Sequence, residues 1–357
     1  MYLMKNQTGK MLATLPLMCA AMTSGAGAEQ TVNRAPLFLT ATNAATNYLA
    51  IVNAQTKQTT YVPTGGMGGA SGNAGGVAVS GEIAAVINFG STNVTVFVRH
   101  GDAMQPTQVV KTASQPVSVA FGHGHLVVLE LNTAESFPVF GNTVGASADG
   151  SVPLLVNDKT AGQIVAYDGG VAYTETSGIV AELNLSTDGM AGLSGPNVVV
   201  PLPAFPNNNT PLGLIGRGAN IYVTIAHSDL EALVVNGQIV SMAAGPTPFK
   251  DLSGNLTHAP CWNALSGQFL YSADSPGKQL LRYLVSDTNI FYDKPSVATL
   301  TGPPTDLAAD GGLLGVIDGG DGVNSNASLF DIGAEGELTL RFAVKIASPV
   351  NGAAIIR

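Results

Sequence analysis

The chain has 357 residues, of which 45% are apolar and only 11% are charged, so it is long enough to bury a large core. Its formal net charge of −9 argues against nucleic-acid binding, because phosphate contacts need an excess of lysine and arginine. Beyond the N-terminus no apolar stretch is long enough to cross a bilayer, which favours a protein without a membrane span.

The N-terminus has the pattern of a secretory signal peptide. Two lysines supply a positive region, residues 11–22 form a short apolar stretch, and Ala26-Gly27-Ala28 fits the small-residue cleavage pattern. We therefore expect a signal peptide over residues 1–28, one domain over residues 29–357, and a periplasmic or secreted location. Cleavage would remove two lysines and no acid, which changes the net charge from −9 to −11.

From residue 75 onward one pattern of short strands recurs six times. Each copy has a short apolar strand, a tight turn, a longer apolar strand, a Gly/Asn/Ser/Asp turn and a third apolar strand. The copies start 40, 45, 51, 47 and 46 residues apart, at Gly75, Gln115, Thr160, Pro211, His258 and Pro304. A strand repeat of this length is the signature of β-propeller blades.

A fourth, more polar strand is predicted after each copy, as expected at the exposed outer edge of a blade. These predicted outer strands are Gln108–Thr112, Val152–Val156, Val198–Leu202, Ile239–Ala243, Val297–Leu300 and Thr339–Ile346. Two linkers, Thr64–Gly72 and Pro201–Pro211, lack apolar periodicity and are predicted to be surface loops at the mouth of the propeller.

The two ends of the chain together supply one more blade. The N-terminal part holds three strand candidates, Leu37–Ala41, Tyr48–Val52 and Thr59–Val62, but no innermost strand. Residues 349–356 resemble the innermost strand of the first full copy, residues 73–79. We therefore predict an all-β, seven-bladed propeller with four antiparallel strands per blade, in which the C-terminal strand joins the N-terminal blade and closes the ring.

Ionisable residues at strand ends are the candidates for catalysis. His258 precedes an innermost strand, where it could act as a general acid or base, or simply cap the strand in a turn. Glu130 and Glu175 end second strands in consecutive blades. They could face one mouth and divide acid and base roles between them, or stand there as solvated turn acids.

Other residues are candidates for binding a substrate. Arg282, on a third strand, could hold a carboxylate or phosphate with its planar guanidinium, or pair locally within its blade. Arg217 is an alternative anion ligand in a turn after an innermost strand. Asp274 and Asn88, at the ends of second strands, complete the predicted substrate-binding set.

Two motifs have some of the chemistry of metal ligands. His123-Gly-His125 resembles a metal-binding pair but lies in a hairpin without further ligands nearby. Asp318-Gly-Gly-Asp321-Gly has the composition of a calcium loop but not the spacing of an EF-hand, and a turn is the simpler interpretation. We predict neither a metal nor another cofactor.

Two of the copies resemble the blades of the lactonase-like seven-bladed propellers. His258-Ala-Pro-Cys-Trp262 followed by Gly267-Gln-Phe-Leu-Tyr-Ser-Ala-Asp274 is similar to that family's His/Pro strand and Gly-x-aromatic-x-Tyr strand. Val128-Leu-Glu130-Leu-Asn132 is similar to its Glu-Leu strand end. Asp274 stands where the family has Asn, and Gln115-Pro116-Val117 stands where it has His-Pro-Arg.

The resemblance implies a propeller related to the 6-phosphogluconolactonases and carboxymuconate cyclases. Those enzymes act on lactones without a metal, through His, Arg and Glu side chains in the central channel. On this chain, Arg282 or His258 would polarise the lactone carbonyl and Glu130 would activate water, with Glu175 as a further catalytic candidate.

Two classes of function remain open, a lactonase or lactonising cyclase and a non-catalytic exported propeller that binds a protein, peptide or polysaccharide. In either case we expect a monomer. Convergence of Glu130, His258 and an arginine in one mouth would favour the enzyme. A channel lined by small residues, with its charges scattered outside, would favour the binding protein.

Overall fold

The computed structural model describes residues 34–71, 74–204, 210–246, 258–294, 297–321 and 323–357. The predicted signal peptide lies outside these ranges and stays a prediction. The described residues form seven antiparallel sheets of four main strands. Among them, no helix is long and apolar enough to span a membrane.

The seven sheets are numbered here as blades in chain order, and their strands are given from the innermost to the outermost. Blade 1 comprises Asn351–Ile356, Leu37–Ala41, Tyr48–Asn53 and Thr59–Pro63. Blade 2 comprises Val77–Ser80, Ile83–Asn88, Asn93–His100 and Ala103–Lys111. Blade 3 comprises Pro116–Gly122, His125–Glu130, Thr133–Phe140 and Gly150–Pro153, with a short extra strand at Thr143–Val144.

The remaining blades follow the same order. Blade 4 comprises Ala161–Tyr167, Gly170–Glu175, Ile179–Asn184 and Ser194–Val199. Blade 5 comprises Pro211–Arg217, Asn220–Ile225, Leu230–Val235 and Gln238–Ala244. Blade 6 comprises Pro260–Ser266, Phe269–Asp274, Gln279–Val285 and Ile290–Lys294, and blade 7 comprises Pro304–Asp310, Leu313–Asp318, Ser325–Ile332 and Leu338–Ile346. Single 3₁₀ turns lie at Phe89–Ser91 and Ala226–Ser228.

The ring closes as the sequence predicts. Each innermost strand contacts the innermost strands of the blades before and after it, and the strand Asn351–Ile356 contacts those of blades 2 and 7. That strand pairs with Leu37–Ala41 and is buried at all six positions. Closure therefore leaves no blade with an exposed end face.

The outermost strands are predicted less accurately than the inner ones. In blade 6 the outermost strand is Ile290–Lys294, so the prediction of Val297–Leu300 is wrong. A tight turn closed between Ser286 and Asn289 starts the outer strand earlier. The apolar residues of the predicted segment instead pack against the blade core, and only Thr299 forms an isolated bridge, to Gln279.

Four innermost strands begin with proline, and the register shifts directly after it. The shifts follow Pro116, Pro211, Pro260 and Pro304, and blade 4 has the same irregularity after Ala161. Proline has no N–H to donate, so it is tolerated at a strand start beside a bulge. The bulges place a few polar side chains at one end of a channel whose walls are otherwise apolar.

Candidate functional site

Polar residues end the second strand in five of the seven blades and are all fully buried. Asn88, Glu130, Glu175, Asp274 and Asp318 occupy this position in blades 2, 3, 4, 6 and 7. Pairing of the last four with the first residue of the innermost strand shows that they are equivalent. Three of the predicted site residues, Glu130, Glu175 and Asp274, therefore occupy the same structural position in different blades.

The four acids accept hydrogen bonds from the loops on their face of the ring. Glu130 accepts from Ser114 N–H, and Glu175 from Val156 N–H. Asp274 accepts from Ala259 N–H at 3.0 Å and Asp318 from Gly320 N–H at 2.8 Å. In each case a carboxylate satisfies backbone donors that the loop would otherwise bury unpaired. The shared position anchors the loops between strands.

Glu130 lies in a carboxyl pair with Glu135. Burial is the main cause that raises the pKa of Glu130 to about 8, and the neighbouring Glu135 carboxyl adds to that rise. Thr133 donates to Glu130 Oε2 at 2.8 Å, while Oε1 has no hydrogen-bond partner. Burial likewise raises the pKa of Glu175 to about 7. Both groups have the proton affinity of a general base, but neither side chain is exposed.

The structure brings two of the predicted site residues, His258 and Asp274, into contact. His258 Nδ1 lies 2.8 Å from Asp274 Oδ2, and Gln279 Nε2 donates to the same oxygen at 2.8 Å. Asp274 therefore orients the imidazole and also holds the strand start through Ala259. The arrangement suits a structural cap and would equally fix one tautomer of a catalytic histidine.

The two predicted arginines bind groups of the blades, and neither lines the channel cavity. Arg282 donates through Nε to Asp293 at 2.6 Å and lies over the Phe269 ring at 5.0 Å. Arg217 donates to Gly267 O at 2.6 Å and to the Tyr222 hydroxyl at 2.9 Å. A third strand lies roughly 10 Å from the innermost strand, so Arg282 starts far from the channel.

The structure thus shows no shared hydrogen-bond partner among Glu130, His258 and Arg282 in the described residues. The partners of Glu130 are Thr133 of blade 3 and Ser114 in the loop before that blade, and those of His258 belong to blade 6. Arg282 bonds to Asp293 of its own blade and to Glu335 O of blade 7. Their predicted catalytic roles, and the binding roles of Asn88, Asp274 and Arg217, stay predictions.

The histidine motif does not form a joint ligand pair. His123 Nε2 lies 2.7 Å from Tyr167 O, whereas His125 Nε2 lies 2.8 Å from Asp149 Oδ2. The same Asp149 accepts a hydrogen bond from Ser136. The two imidazoles therefore make separate contacts, one of which joins blade 3 to blade 4.

A cavity of about 320 Å³ lies in the central channel and is lined by the innermost strands of all seven blades. Its walls are mostly Val, Ala, Leu and Ile, with Gln163, Asn263 and Asp306 as polar groups beside the strand bulges and Asp310 at the other end of its strand. Gln163, Asn263 and Asp306 were not predicted as site residues from the sequence. The available signal was a polar residue two or three positions after the start of an otherwise apolar innermost strand.

Asp306 links three blades at the channel. Its Oδ2 accepts from Gly75 N–H at 2.8 Å and from Ala353 N–H at 3.1 Å, and its Oδ1 accepts from Leu307 N–H. Burial raises its pKa to about 7 against the opposing effect of these bonds. The carboxyl can therefore exchange a proton near neutral pH.

Gln163 lies across the same cavity. Its Oε1 accepts from Leu214 N–H at 2.8 Å, and its amide nitrogen approaches Gly75 so closely that a Cβ there would touch it. Among the described residues, Nε2 has no acceptor. This unpaired donor and the Asp306 carboxyl are thus two polar groups that line one otherwise apolar cavity.

A variant at Asp274 measures how much the shared acid position stabilises the fold. We expect Asp274→Ala to lower the free energy of unfolding by about 3 kcal/mol, because Ala259 and Gly277 N–H lose their buried acceptor. Urea denaturation is the measurement. Asp287→Ala is the control, since that side chain is 93% exposed and should change stability by less than about 0.5 kcal/mol. Equal effects would contradict the anchoring role.

Known structures share this fold at low sequence identity. The periplasmic gluconolactonase PpgL of Pseudomonas aeruginosa is 15% identical with a TM-score of 0.66, over 91% of this chain and 99% of that one. A Lactobacillus plantarum protein is 13% identical with a TM-score of 0.66, over 91% and 100%. A Bacteroides fragilis protein assigned provisionally as a 6-phosphogluconolactonase is 12% identical with a TM-score of 0.64, over 92% and 99%.

No protein-family model matches the sequence, and no curated protein sequence matches it either. Identities of 12–15% show a shared fold and do not transfer an activity. The resemblance that the sequence motifs indicated is confirmed at the level of the fold, since the chain shares the seven-bladed propeller with structures whose names include gluconolactonase.

Proposed function

We propose that this protein is an exported lactonase-like propeller that hydrolyses a small, neutral lactone in its central channel. The observation that supports this most directly is Asp306, a buried carboxyl with a pKa of about 7 in the channel cavity. The lactonase names of two structural neighbours support the substrate class. Export follows from the signal-like residues 1–28 and is part of the proposal.

The reaction that we propose needs one base and one hydrogen-bond donor. Asp306 takes a proton from water while the water oxygen attacks the lactone carbonyl carbon, and Gln163 Nε2 donates to the developing oxyanion. Collapse of the tetrahedral intermediate breaks the ring C–O bond, and Asp306 returns its proton to the alkoxide that leaves. The product is the open hydroxy acid.

The cavity suits a neutral substrate better than a phosphorylated one. Apart from Asp306 its charged lining residue is Asp310, and no lysine or arginine of the described chain lines it. A phosphate would therefore meet two acids and no cation. A sugar lactone or muconolactone of modest size fits both the 320 Å³ volume and the apolar walls.

The test is hydrolysis of sugar lactones and muconolactone by the wild type and by Asp306→Asn. We expect the variant to lose about 10²- to 10⁴-fold in kcat, because it lacks the general base. Glu175→Gln is the matched control, since it removes a buried carboxyl of similar pKa that does not line the cavity. Full activity in Asp306→Asn would refute the assigned role, provided that both variants melt like the wild type.

The second candidate is a propeller that binds a ligand without catalysis. Two observations favour it. Glu130, His258 and Arg282 each form hydrogen bonds or ion pairs with groups of the blades and their loops, and the channel walls are mostly apolar. Saturable binding of a lactone without turnover above its spontaneous hydrolysis would select this candidate. A protein, peptide or polysaccharide partner at the mouth loops would then be the next ligand class to test.

A further inference from the structure

The interface between blades 5 and 6 contains an unusual buried polar cluster. The interface between blades 3 and 4, for comparison, is filled by apolar side chains such as Val127, Leu129 and Val171. Between blades 5 and 6, Glu231 of blade 5 instead meets Asn263 of blade 6, and Asp229 lies two residues before Glu231. We call Asp229, Glu231, Asn263 and Tyr283 the acidic cluster.

A hydrogen bond joins the two blades within the acidic cluster. Asn263 Nδ2 donates to Glu231 Oε2 at 3.1 Å, which aims the amide at the carboxylate. Burial raises the pKa of Glu231 to about 8, and the charge of Asp229 contributes to that rise. Burial raises the pKa of Tyr283 far above its usual value, and the charges of Glu231 and Asp229 contribute to that rise.

Four oxygens of the acidic cluster lack partners. Asp229 Oδ1, Glu231 Oε1, Asn263 Oδ1 and the Tyr283 hydroxyl are buried without a hydrogen bond. The four residues are at most 4% exposed. Buried oxygens that are left unpaired cost stability, and a native fold normally satisfies them with water or an ion.

No lysine, arginine or histidine of the described ranges forms an ion pair with either of the two acids. The ion pairs of these blades join other residues, namely Arg217 with Asp287, His258 with Asp274 and Arg282 with Asp293. Within the described residues, Asp229 and Glu231 form no ion pair. Two adjacent carboxylates and a free amide oxygen are therefore available to a positive ligand that is not part of the chain.

We propose that the acidic cluster binds one Ca²⁺ ion between blades 5 and 6. Two carboxylates balance its charge, Asn263 supplies a neutral oxygen, and water fills the remaining positions, which are the ligand types that Ca²⁺ prefers. Among the described residues no three His, Cys, Asp or Glu side chains already surround one point. The site that we propose needs two such groups and one amide.

The ion would act on the channel through Asn263. This residue lines the central cavity and also bonds Glu231, so its amide is shared by the channel wall and the acidic cluster. The ion would bridge a third strand of blade 5 and the innermost strand of blade 6. Binding is therefore expected to stabilise the ring, whether or not the channel is catalytic.

Terbium luminescence tests this proposal without any lactone. Tb³⁺ replaces Ca²⁺ at oxygen sites, and Tyr283 lies close enough to sensitise its emission. We expect saturable emission with the purified wild type, its displacement by Ca²⁺ more readily than by Mg²⁺, and a Tm that rises by a few degrees in millimolar Ca²⁺ relative to chelator. Glu231→Gln and Asp229→Asn should each raise the Kd for Ca²⁺ about tenfold or more.

Glu182→Gln is the matched control, because Glu182 is a half-buried third-strand acid of blade 4 beside Tyr167. It should bind Ca²⁺ like the wild type. In chelator, Glu231→Gln should melt no lower than the wild type, which shows that lost binding is not lost folding. Absence of a saturable signal, unchanged affinity in Glu231→Gln, or tighter binding of Mg²⁺ than of Ca²⁺ would overturn the proposal.

Discussion

Removal of residues 348–357 is expected to leave a chain that does not fold. The deleted strand Asn351–Ile356 is buried along its whole length, pairs with Leu37–Ala41 and closes the ring against blades 2 and 7. Loss of a single buried isoleucine side chain costs about 2–5 kcal/mol, and this deletion removes Ile355 and Ile356 together with a row of backbone hydrogen bonds. A domain is stable by only about 5–15 kcal/mol.

Far-UV circular dichroism, thermal melting and gel filtration would measure the effect of this deletion. We expect no cooperative melting transition and an expanded or aggregated species. Arg357→Ala is the control at the same end of the chain, because its ion pair with Asp310 is half-exposed and should contribute less than about 1 kcal/mol. A truncated protein that melted within a few degrees of the wild type would show that the ring does not depend on closure.

The sequence alone predicted this closure because inner strands carry their own signal. Leu37–Ala41 is predicted to the residue, and the C-terminal strand is found because it is apolar and resembles another innermost strand. The outer strand of blade 6 was missed since Val297 and Leu300 are apolar yet serve as packing residues rather than as a strand. Edge strands have only one neighbour, so their local pattern constrains them less.

The functional residues were harder to predict for a physical reason. The roles of Asp306 and Gln163 depend on a bulge in the strand and on blades remote in sequence, such as the bond from Asp306 to Gly75. Glu231 and Asp229 gain their altered proton affinity from burial against a different blade. None of these features appears in a window of neighbouring residues.

Glu130 illustrates the opposite difficulty. The sequence predicted its place at a strand end, but only the paired registers show that Glu175, Asp274 and Asp318 occupy the same position in other blades. A residue type that recurs around a ring is explained by the construction of each blade. A residue that breaks the repeat, such as Asp306 in the channel, is the better candidate for function.

The buried acids also predict an unusual dependence of stability on pH. The pKa of Glu130 is about 8 in the folded protein against an ordinary value of 4.5, so between these limits the native state keeps a proton that the unfolded state releases. The free energy of unfolding therefore falls as the pH rises through this window, by about 1.4 kcal/mol per pH unit for each such group. Below pH 4.5 the stabilisation from the protonated carboxyl is fully present.

Urea denaturation at pH 5, 6.5 and 8 measures this dependence. We expect wild-type stability to be highest near pH 5 and to fall towards pH 8, with a shallower fall in Glu130→Gln, because glutamine keeps the neutral form at every pH. Glu130→Gln should therefore become more stable than the wild type at pH 8. Parallel curves for the two proteins would show that Glu130 is ionised throughout, in contradiction to its burial.

Asp321→Asn provides the control with the opposite sign. Hydrogen bonds from Asn324 and Val323 hold the pKa of this exposed carboxyl below its usual value of 3.8. Its contribution to stability is therefore present above pH 3.8 and is lost only as the pH falls through the lower folded value. Between pH 5 and 8 the slope for Asp321→Asn should equal that of the wild type, so a change confined to Glu130→Gln assigns the pH dependence to the buried carboxyl itself.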